Sequence, residues 1–172
     1  MKLILLFIIP ILKIANPANE TKIYLLDKKV ELTTPAELTE MSDKDYKLKY
    51  ENRPRPELAL SNNGGEVSLT GRLTRQRAAE SQMAAYKDFQ IAELKKRYPD
   101  LQLISGGVKT IHGKKVGYFK FLSQAVDQKI FNYYFFTVVD GEVVLFNFNC
   151  IEKLRKDWEN KSEQIVSSLI IR

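Results

Sequence analysis

Residues 130–150 constrain this chain more than any other stretch. Ile130–Val139 is a nearly unbroken run of β-branched and aromatic residues, and Glu142–Cys150 follows as a second stretch of strand pattern. Between them stands Asp140-Gly141, a pair suited to the positive-φ positions of a two-residue hairpin turn. Period-2 alternation puts Val144, Phe146, Phe148 and Cys150 on one face of the second strand. Val143, Leu145, Asn147 and Asn149 take the other, so that face is apolar near the turn and wetter beyond it. The first strand carries Phe131, Tyr133, Tyr134, Phe135 and Phe136 and is aromatic on both sides. It reads as a central strand covered by helices on both faces, with a ligand-binding wall as the alternative.

The remaining elements arrange themselves around that hairpin. Lys22–Leu26 and Lys29–Thr33, split by Asp27-Lys28, read as an opening hairpin that Pro35 ends. Ser42 with Asp45 three residues on approximates a capping box, which predicts a short helix to Tyr50 with Tyr46 and Tyr50 on its apolar face. Arg53–Pro56 alternates Arg with Pro and reads as an extended connector. Leu58–Leu60 and Glu66–Leu73 make a second hairpin about Ser61–Gly65. A helix is predicted over Arg75–Tyr98, with Ala79, Met83, Tyr86 and Leu94 near one stripe, Ala85, Phe89 and Ala92 beside it, and Pro99 as its stop. Leu101–Ser105 and Val108–Ile111 read as strands, with Gly106-Gly107 as a turn, and the chain then turns at His112-Gly113 into a strand over Lys115–Leu122. Leu154, Trp158, Ile165 and Leu169 recur at helical spacing and predict a closing helix. The fold class is α+β, an antiparallel sheet with helices packed on its faces.

The apolar run Leu3–Leu12 after Lys2 reads as a secretory leader over residues 1–18, followed by one domain over 20–172. The run is too short to span a bilayer, which takes about 20 apolar residues, and Pro10 and Lys13 interrupt it. Cleavage, and a periplasmic or secreted protein with no stable membrane span, is the expectation; a cytoplasmic protein with an apolar first element is the alternative. The net charge of +6 falls to +4, 25 basic against 21 acidic residues, once Lys2 and Lys13 leave with the leader. That excess is spread out rather than clustered, so no nucleic-acid partner is expected. Lys95, Lys96 and Arg97 sit in the last turn of the long helix, where cations face the negative end of the dipole. Arg72, Arg75 and Arg77 form a second basic stretch, read as a solvated helix entrance or as a contact for an acidic surface. Cys150 is the only cysteine, which excludes an intramolecular disulfide, and it does not follow the leader as a lipid anchor would.

No stretch carries a reaction. His112 is the only histidine and lies beside a turn glycine, so it reads as a turn residue rather than a triad base. One His and one Cys fall short of a zinc site. Cys150 alternates with Phe146 and Phe148 and reads as a buried small hydrophobe. The carboxylate pairs Asp43 and Asp45, or Glu57 and Glu66, lack apolar neighbours that would raise one pKa and read as solvated charges. Gly64-Gly65 lacks the residues of a phosphate cradle and reads as a turn, and Asn62 and Asp127 belong to no calcium loop. No catalytic, cofactor-binding or metal residue is assigned, no cofactor is implied, and no enzymatic activity is expected.

The order of hairpin, short helix, hairpin, long helix, long aromatic hairpin and closing helix resembles the PsbP-like family. The resemblance rests on Glu66–Thr70 leading into the 75–98 helix, Gly113–Leu122, Ile130–Cys150 and Trp158–Ile171. That fold is shared by a photosystem II extrinsic protein, a Ran-binding import factor, periplasmic DcrB-like lipoproteins and some type VI secretion adaptor chaperones. The resemblance implies an α/β/α sandwich and action through binding other proteins, and it transfers no functional residue. Two functions follow: an exported, non-catalytic binding or accessory protein of bacterial envelope type that contacts another protein, or a cytoplasmic adaptor chaperone for a secreted client. An enzyme working through His112 or a carboxylate pair is held in reserve.

Overall fold

In the computed structural model, which describes residues 19–51 and 53–172, the chain opens with β1 (Glu20–Leu25), β2 (Val30–Pro35), β3 (Thr39–Glu40) and α1 (Asp43–Tyr50). It continues through β4 (Leu58–Ser61), β5 (Val67–Arg77) and α2 (Met83–Arg97), then β6 (Gln102–Ile111), β7 (Lys114–Gln124), β8 (Lys129–Val139) and β9 (Glu142–Ile151). The last elements are α3 (Arg155–Ser167) and β10 (Ile170–Ile171). The leader expected at 1–18 lies outside the described residues.

A seven-stranded sheet in the order β3-β4-β5-β9-β8-β7-β6 forms the middle layer, every neighbour antiparallel. The aromatic hairpin β8–β9 lies inside it, so its backbone is paired on both sides, as the central-strand reading requires. Asp140 (φ 51) and Gly141 (φ 79) take the two left-handed positions of its turn. One face of the sheet presents Val67, Leu69, Phe131, Tyr133, Phe135, Phe146, Phe148 and Cys150 to α3 and to the small sheet β1-β2-β10. Trp158, Ile165 and Val166 of α3 and Val30 and Leu32 of β2 complete that core. The opposite face carries a second core, in which Met83 and Leu94 of α2 meet Phe119, Phe121, Phe136 and Val143. A small third cluster joins Tyr46 of α1 to Met41 and Ala59.

Two glycines face rings across the strand gap. Gly71 is paired with Phe146 and Gly117 with Phe136, and a Cβ on either would come within 2.7 Å and 2.2 Å of that ring respectively. Each Phe fills the space left by the absent side chain, a cross-strand arrangement in which the ring covers the glycine backbone.

A charged network ties α3 to its face of the sheet. Lys120 on β7, with a side chain 10% exposed, lies between Glu159 (3.1 Å) and Glu163 (2.7 Å) on α3 and 4.8 Å from the centre of the Tyr133 ring. Lys109 and the Tyr133 hydroxyl both donate to Glu163, and Arg155 donates to Glu159.

Two sequence expectations are corrected. The long helix begins at Met83, not Arg75: β5 continues pairing with β9 as far as Arg77 opposite Glu142, and the segment Glu80–Gln82 forms a 3₁₀ turn into the helix. A partner strand that satisfies the backbone overrides the helical pattern of the side chains. Of the apolar stripe, Met83 and Leu94 are buried, Tyr86 is partly so and Ala79, which precedes the helix, is exposed, while Phe89 beside the stripe is 49% exposed. Gly106-Gly107 is not a turn but lies inside the continuous strand β6, opposite Phe119 and Tyr118. A Cβ on Gly106 would meet the Phe119 Cβ at 3.0 Å, so the glycine admits a close approach of the two strands.

Candidate binding cleft

The face covered by α2 is only half closed. Along β5, β9 and β8 it carries Ser68, Thr70 and Arg72, then Asn149, Asn147 and Leu145, then Asn132 and Tyr134, the wetter half anticipated from the alternation of β9. At one end α1 covers it. The Ser42 hydroxyl accepts from the Asp45 amide at the helix start (3.1 Å), and the helix lays Tyr50 and Lys49 over the strand. Ser68 Oγ, fully buried, donates to Asn149 Oδ1 (2.9 Å) and lies 3.0 Å from the Tyr50 hydroxyl. Lys49 Nζ donates to Ser68 Oγ (3.1 Å) and to the Gly65 carbonyl (2.9 Å). Among the described residues no carboxylate joins this group, and burial of the ammonium pulls Lys49 down to about 8. Lys49 as a whole is exposed, yet its ammonium turns toward the buried Ser68. Asn147 Oδ1 is buried without a hydrogen-bond partner among the described residues.

Between this polar stripe and α2 opens a cleft of 510 Å³. One wall is the 53–56 connector. Its prolines hold the backbone extended, the Tyr46 hydroxyl donates to the Pro54 carbonyl (2.9 Å), and Arg55 packs on the Tyr46 ring while pairing with Asp43 (3.2 Å) and Glu40 (3.6 Å). The floor comes from Leu145, Tyr134 and Arg72, and the far wall from Tyr86, Gln90 and Arg97 of α2.

A bulge in β5 shapes the mouth. The register against β9 shifts between Leu73 and Arg77, and Arg75 sits at φ 59, in the left-handed region that costs a residue with a Cβ about 1–2 kcal/mol. Thr74 Oγ1 holds the bulge by donating to the Val143 carbonyl (2.9 Å), and the Tyr86 hydroxyl donates to Gln76 (2.6 Å). The strand is thereby re-aimed so that Arg75 and Gln76 join the cleft lining.

The electrostatics are one-sided. Glu93 pairs with Lys96 (2.5 Å), and Glu57 accepts the Leu73 amide through one oxygen (3.1 Å) while keeping its charge, so four arginines face two carboxylates in the lining. Arg72, Arg75 and Arg97 make no ion pair among the described residues. Arg72 and Arg97 line the cleft together with Tyr134, whose phenol burial pushes up to about 12 while the two guanidinium charges pull it the other way.

The other residues weighed from the sequence fall elsewhere. His112 (φ 45) occupies the β6–β7 turn, with Nδ1 2.9 Å from the Leu169 carbonyl oxygen. Cys150 is buried under α3, and burial pushes its thiol up to about 12. Asp43 is held by Arg55, and Asp45 by the Ser42 hydroxyl (2.6 Å). Glu57 and Glu66 stand at opposite ends of the β4–β5 hairpin, Glu66 pairing with Lys153 (2.9 Å). Arg77 lies beyond the bulge near the β8–β9 turn, outside the cleft. The sequence brought Arg72 and Arg75 to notice, but not their convergence with Arg97 and Tyr134, which are distant in the chain.

Among the described residues no three His, Cys, Asp or Glu side chains are grouped as a metal site, and no helix is long and apolar enough to cross a membrane. No protein-family model matches the sequence, and a search of curated proteins finds no similar one. Solved structures do match. Cyanobacterial PsbP (CyanoP) from Synechocystis sp. PCC 6803 superposes with a TM-score of 0.65 at 9% identity, over 91% of this chain and 95% of that one. The chain has the PsbP/Mog1p-like fold. The Ran-binding protein Mog1p of Saccharomyces cerevisiae (TM-score 0.59, 10% identity, 89% and 95% covered) shares it. So does LpqN of Mycobacterium tuberculosis, a protein involved in cell envelope biogenesis (TM-score 0.59, 15% identity, 88% and 90% covered). The expected fold and resemblance thus hold, and identities this low carry the fold alone.

Proposed function

We propose that the protein is an exported, non-catalytic binding or accessory protein that acts on another protein through the cleft between α2 and the 53–56 connector. One observation carries this reading: an open cleft whose walls are pinned by internal hydrogen bonds presents three arginines with no ion-pair partner among the described residues. The residues that would have to act in a nucleophilic or acid–base reaction are placed apart, with His112 in a turn and Cys150 buried beneath α3. The leader-like residues 1–18 support export, and LpqN, with its part in envelope biogenesis, is a precedent for this fold in such a setting.

A cytoplasmic adaptor chaperone is the second reading, favoured by the edge strand β6, which exposes Leu103, Ile104 and Val108 beside an unpaired ladder. The two part on an experiment in cells. A photo-crosslinking residue is placed at Gln90 in the cleft, at Val108 on β6 or at the exposed Val126, and cytoplasmic and envelope fractions are analysed by intact mass. A shortened chain in the envelope fraction, crosslinked to a protein from Gln90 alone, is expected. A full-length cytoplasmic chain crosslinked from Val108 overturns the first reading in favour of the second.

A further inference from the structure

The lining of the cleft narrows what it takes. Guanidinium groups hold carboxylates through two parallel hydrogen bonds, and they do so best where no resident carboxylate competes. Here Arg72 rises from the sheet, Arg97 from α2 and Arg75 from the bulge, and among the described residues neither Glu57 nor Glu93 pairs with any of the three. Arg72 lies on the regular part of the strand and Arg75 on the bulge that follows it, so the two guanidinium groups have separate backbone settings. Guanidinium groups spread over strand, bulge and helix suit several acidic side chains on an extended chain better than one compact anion. The opposite wall adds a second preference. Pro54 and Pro56 have no backbone N–H, and the Pro54 carbonyl already accepts the Tyr46 hydroxyl, so at these positions the connector has no amide to donate to an anion. Phosphate oxygens would find no backbone donor there, whereas a peptide bound through its side chains does not need one. Tyr86 and Tyr134 supply a partly exposed aromatic surface for the stem of an acidic or apolar side chain.

From this juxtaposition we infer that the cleft binds an extended acidic segment of a partner protein, with Arg72 and Arg97 clamping carboxylates from floor and wall and Arg75 guiding the segment at the mouth. The inference rests on the proposal that this cleft is the binding face. The strained backbone of Arg75 fits such a role, since strain retained at a position with an exposed side chain points to use of that side chain.

The test is fluorescence anisotropy with the full-length chain and a labelled ten-residue peptide alternating Asp or Glu with Ser and Tyr, at low salt. The controls are a Lys-for-acid peptide of the same length, a single-stranded oligonucleotide of equal charge, and inorganic phosphate as competitor. Saturable binding of the acidic peptide is expected, weakened about tenfold by Arg72→Gln and by Arg97→Gln, each charge-assisted bidentate pair being worth about that much. Arg75→Gly weakens binding while the melting temperature stays level or rises, because glycine relieves the left-handed backbone; a purely structural role for Arg75 would not separate the two readouts. No binding of the acidic peptide, equal or tighter binding of the oligonucleotide, displacement by millimolar phosphate, or arginine variants within twofold of the parent each overturns the inference. The binding-protein reading fails separately, when crosslinks from Gln90 capture nothing; crosslinks from Gln90 with no acidic-peptide binding end this inference and leave that reading standing.

Discussion

Gly117→Ala tests whether the sheet's glycines are there to admit rings. The added Cβ would lie 2.2 Å from Cε2 and 2.5 Å from Cζ of Phe136, roughly 1.3 Å inside the ~3.5 Å at which two carbons rest comfortably. The ring has nowhere to go. Phe136 is fully buried, the Tyr86 ring stands edge-on to it at 4.9 Å, and Phe119 and Met83 belong to the same cluster. Relief requires α2 to lift from the sheet. Overpacking of this kind costs about 3 kcal/mol, at the upper end of its usual range. Replacing glycine in a strand returns about 0.7 kcal/mol of backbone entropy, which leaves a net loss of about 2 kcal/mol and a fall in melting temperature of about 6 °C.

Urea denaturation followed by circular dichroism measures that loss, with two controls. Gly64→Ala, whose Cβ would be no closer than 3.5 Å to any neighbour and whose backbone is not left-handed, is expected to be neutral. Phe136→Leu removes the obstructing ring atoms, so in that background Gly117→Ala is expected to cost under about 0.5 kcal/mol, a coupling of about 2 kcal/mol. Since Tyr86 lines the cleft and leans on Phe136, Gly117→Ala also weakens cleft binding while Gly64→Ala does not. A stable Gly117→Ala variant, or a loss of the same size with and without the Phe136 ring, refutes the reasoning.

Other perturbations read other parts of the structure. Lys120→Met leaves Glu159 and Glu163 facing each other with only Arg155 and Lys109 to offset them, and costs about 2 kcal/mol, less than for a fully buried pair because both carboxylates are partly solvated; the denaturation midpoint reports it. Burial raises both carboxyls, but hydrogen bonds from Arg155 and Lys120 to Glu159, and from Lys120, Lys109 and Tyr133 to Glu163, outweigh it and hold both below the usual range. Their contribution is therefore fully present above the unfolded carboxyl pKa of about 4.3 and is lost as pH falls through the depressed folded values, and Lys120→Met flattens that acid slope in a pH series of melts. Lys49 works in the opposite range: its folded value of about 8 lies below the unfolded 10.5, so stability rises between about pH 8 and 10.5, a rise that Lys49→Met removes. Cys150, with its thiol raised to about 12 and buried, stays unlabelled by a thiol reagent at pH 8 until the chain unfolds, as a denaturant series of labelling rates would show.

The sequence is most legible where local and tertiary preferences agree. The β8–β9 hairpin carries strong strand formers, alternation and a turn pair that only one register satisfies, and the structure follows it residue by residue. The Ser42 cap and the Tyr46–Tyr50 face are legible for the same reason. Arg75–Gln82 is not. Its residues tolerate a helix, and only the presence of Glu142 across the sheet holds Arg77 in a strand. Gly106-Gly107 fails in a related way: a glycine pair signals a turn when read locally, while its use in β6 depends on the Phe119 backbone of another strand. The cleft lies beyond such reading altogether. Arg72 and Arg97 are 25 positions apart, and their common neighbour Tyr134 stands 37 further on, so nothing in the spacing of any one segment brings them together.

Why the open half of the sheet falls where it does follows from the two faces of β9. Phe146, Phe148 and Cys150 need cover along their whole length, and α3 with the small sheet supplies it. On the other side only Val143 and Leu145 demand an apolar lid, and α2 with its two buried anchors, Met83 and Leu94, extends no further than that demand. Asn147 and Asn149 stand where two more core residues would be, and it is Lys49 of the short helix α1, rather than a continuation of α2, that reaches Asn149. A longer apolar face on β9 would have drawn the helix layer across and closed the cleft. Replacing Asn147 by Leu is thus a test of origin as well as of stability: its buried Oδ1 has no partner among the described residues, so the change is expected to stabilise the fold by about 1 kcal/mol. A parallel loss of affinity for an acidic peptide would show that the wet half of the strand is kept for binding, whereas unchanged affinity would separate the asparagine from the site and refute the link drawn between the two.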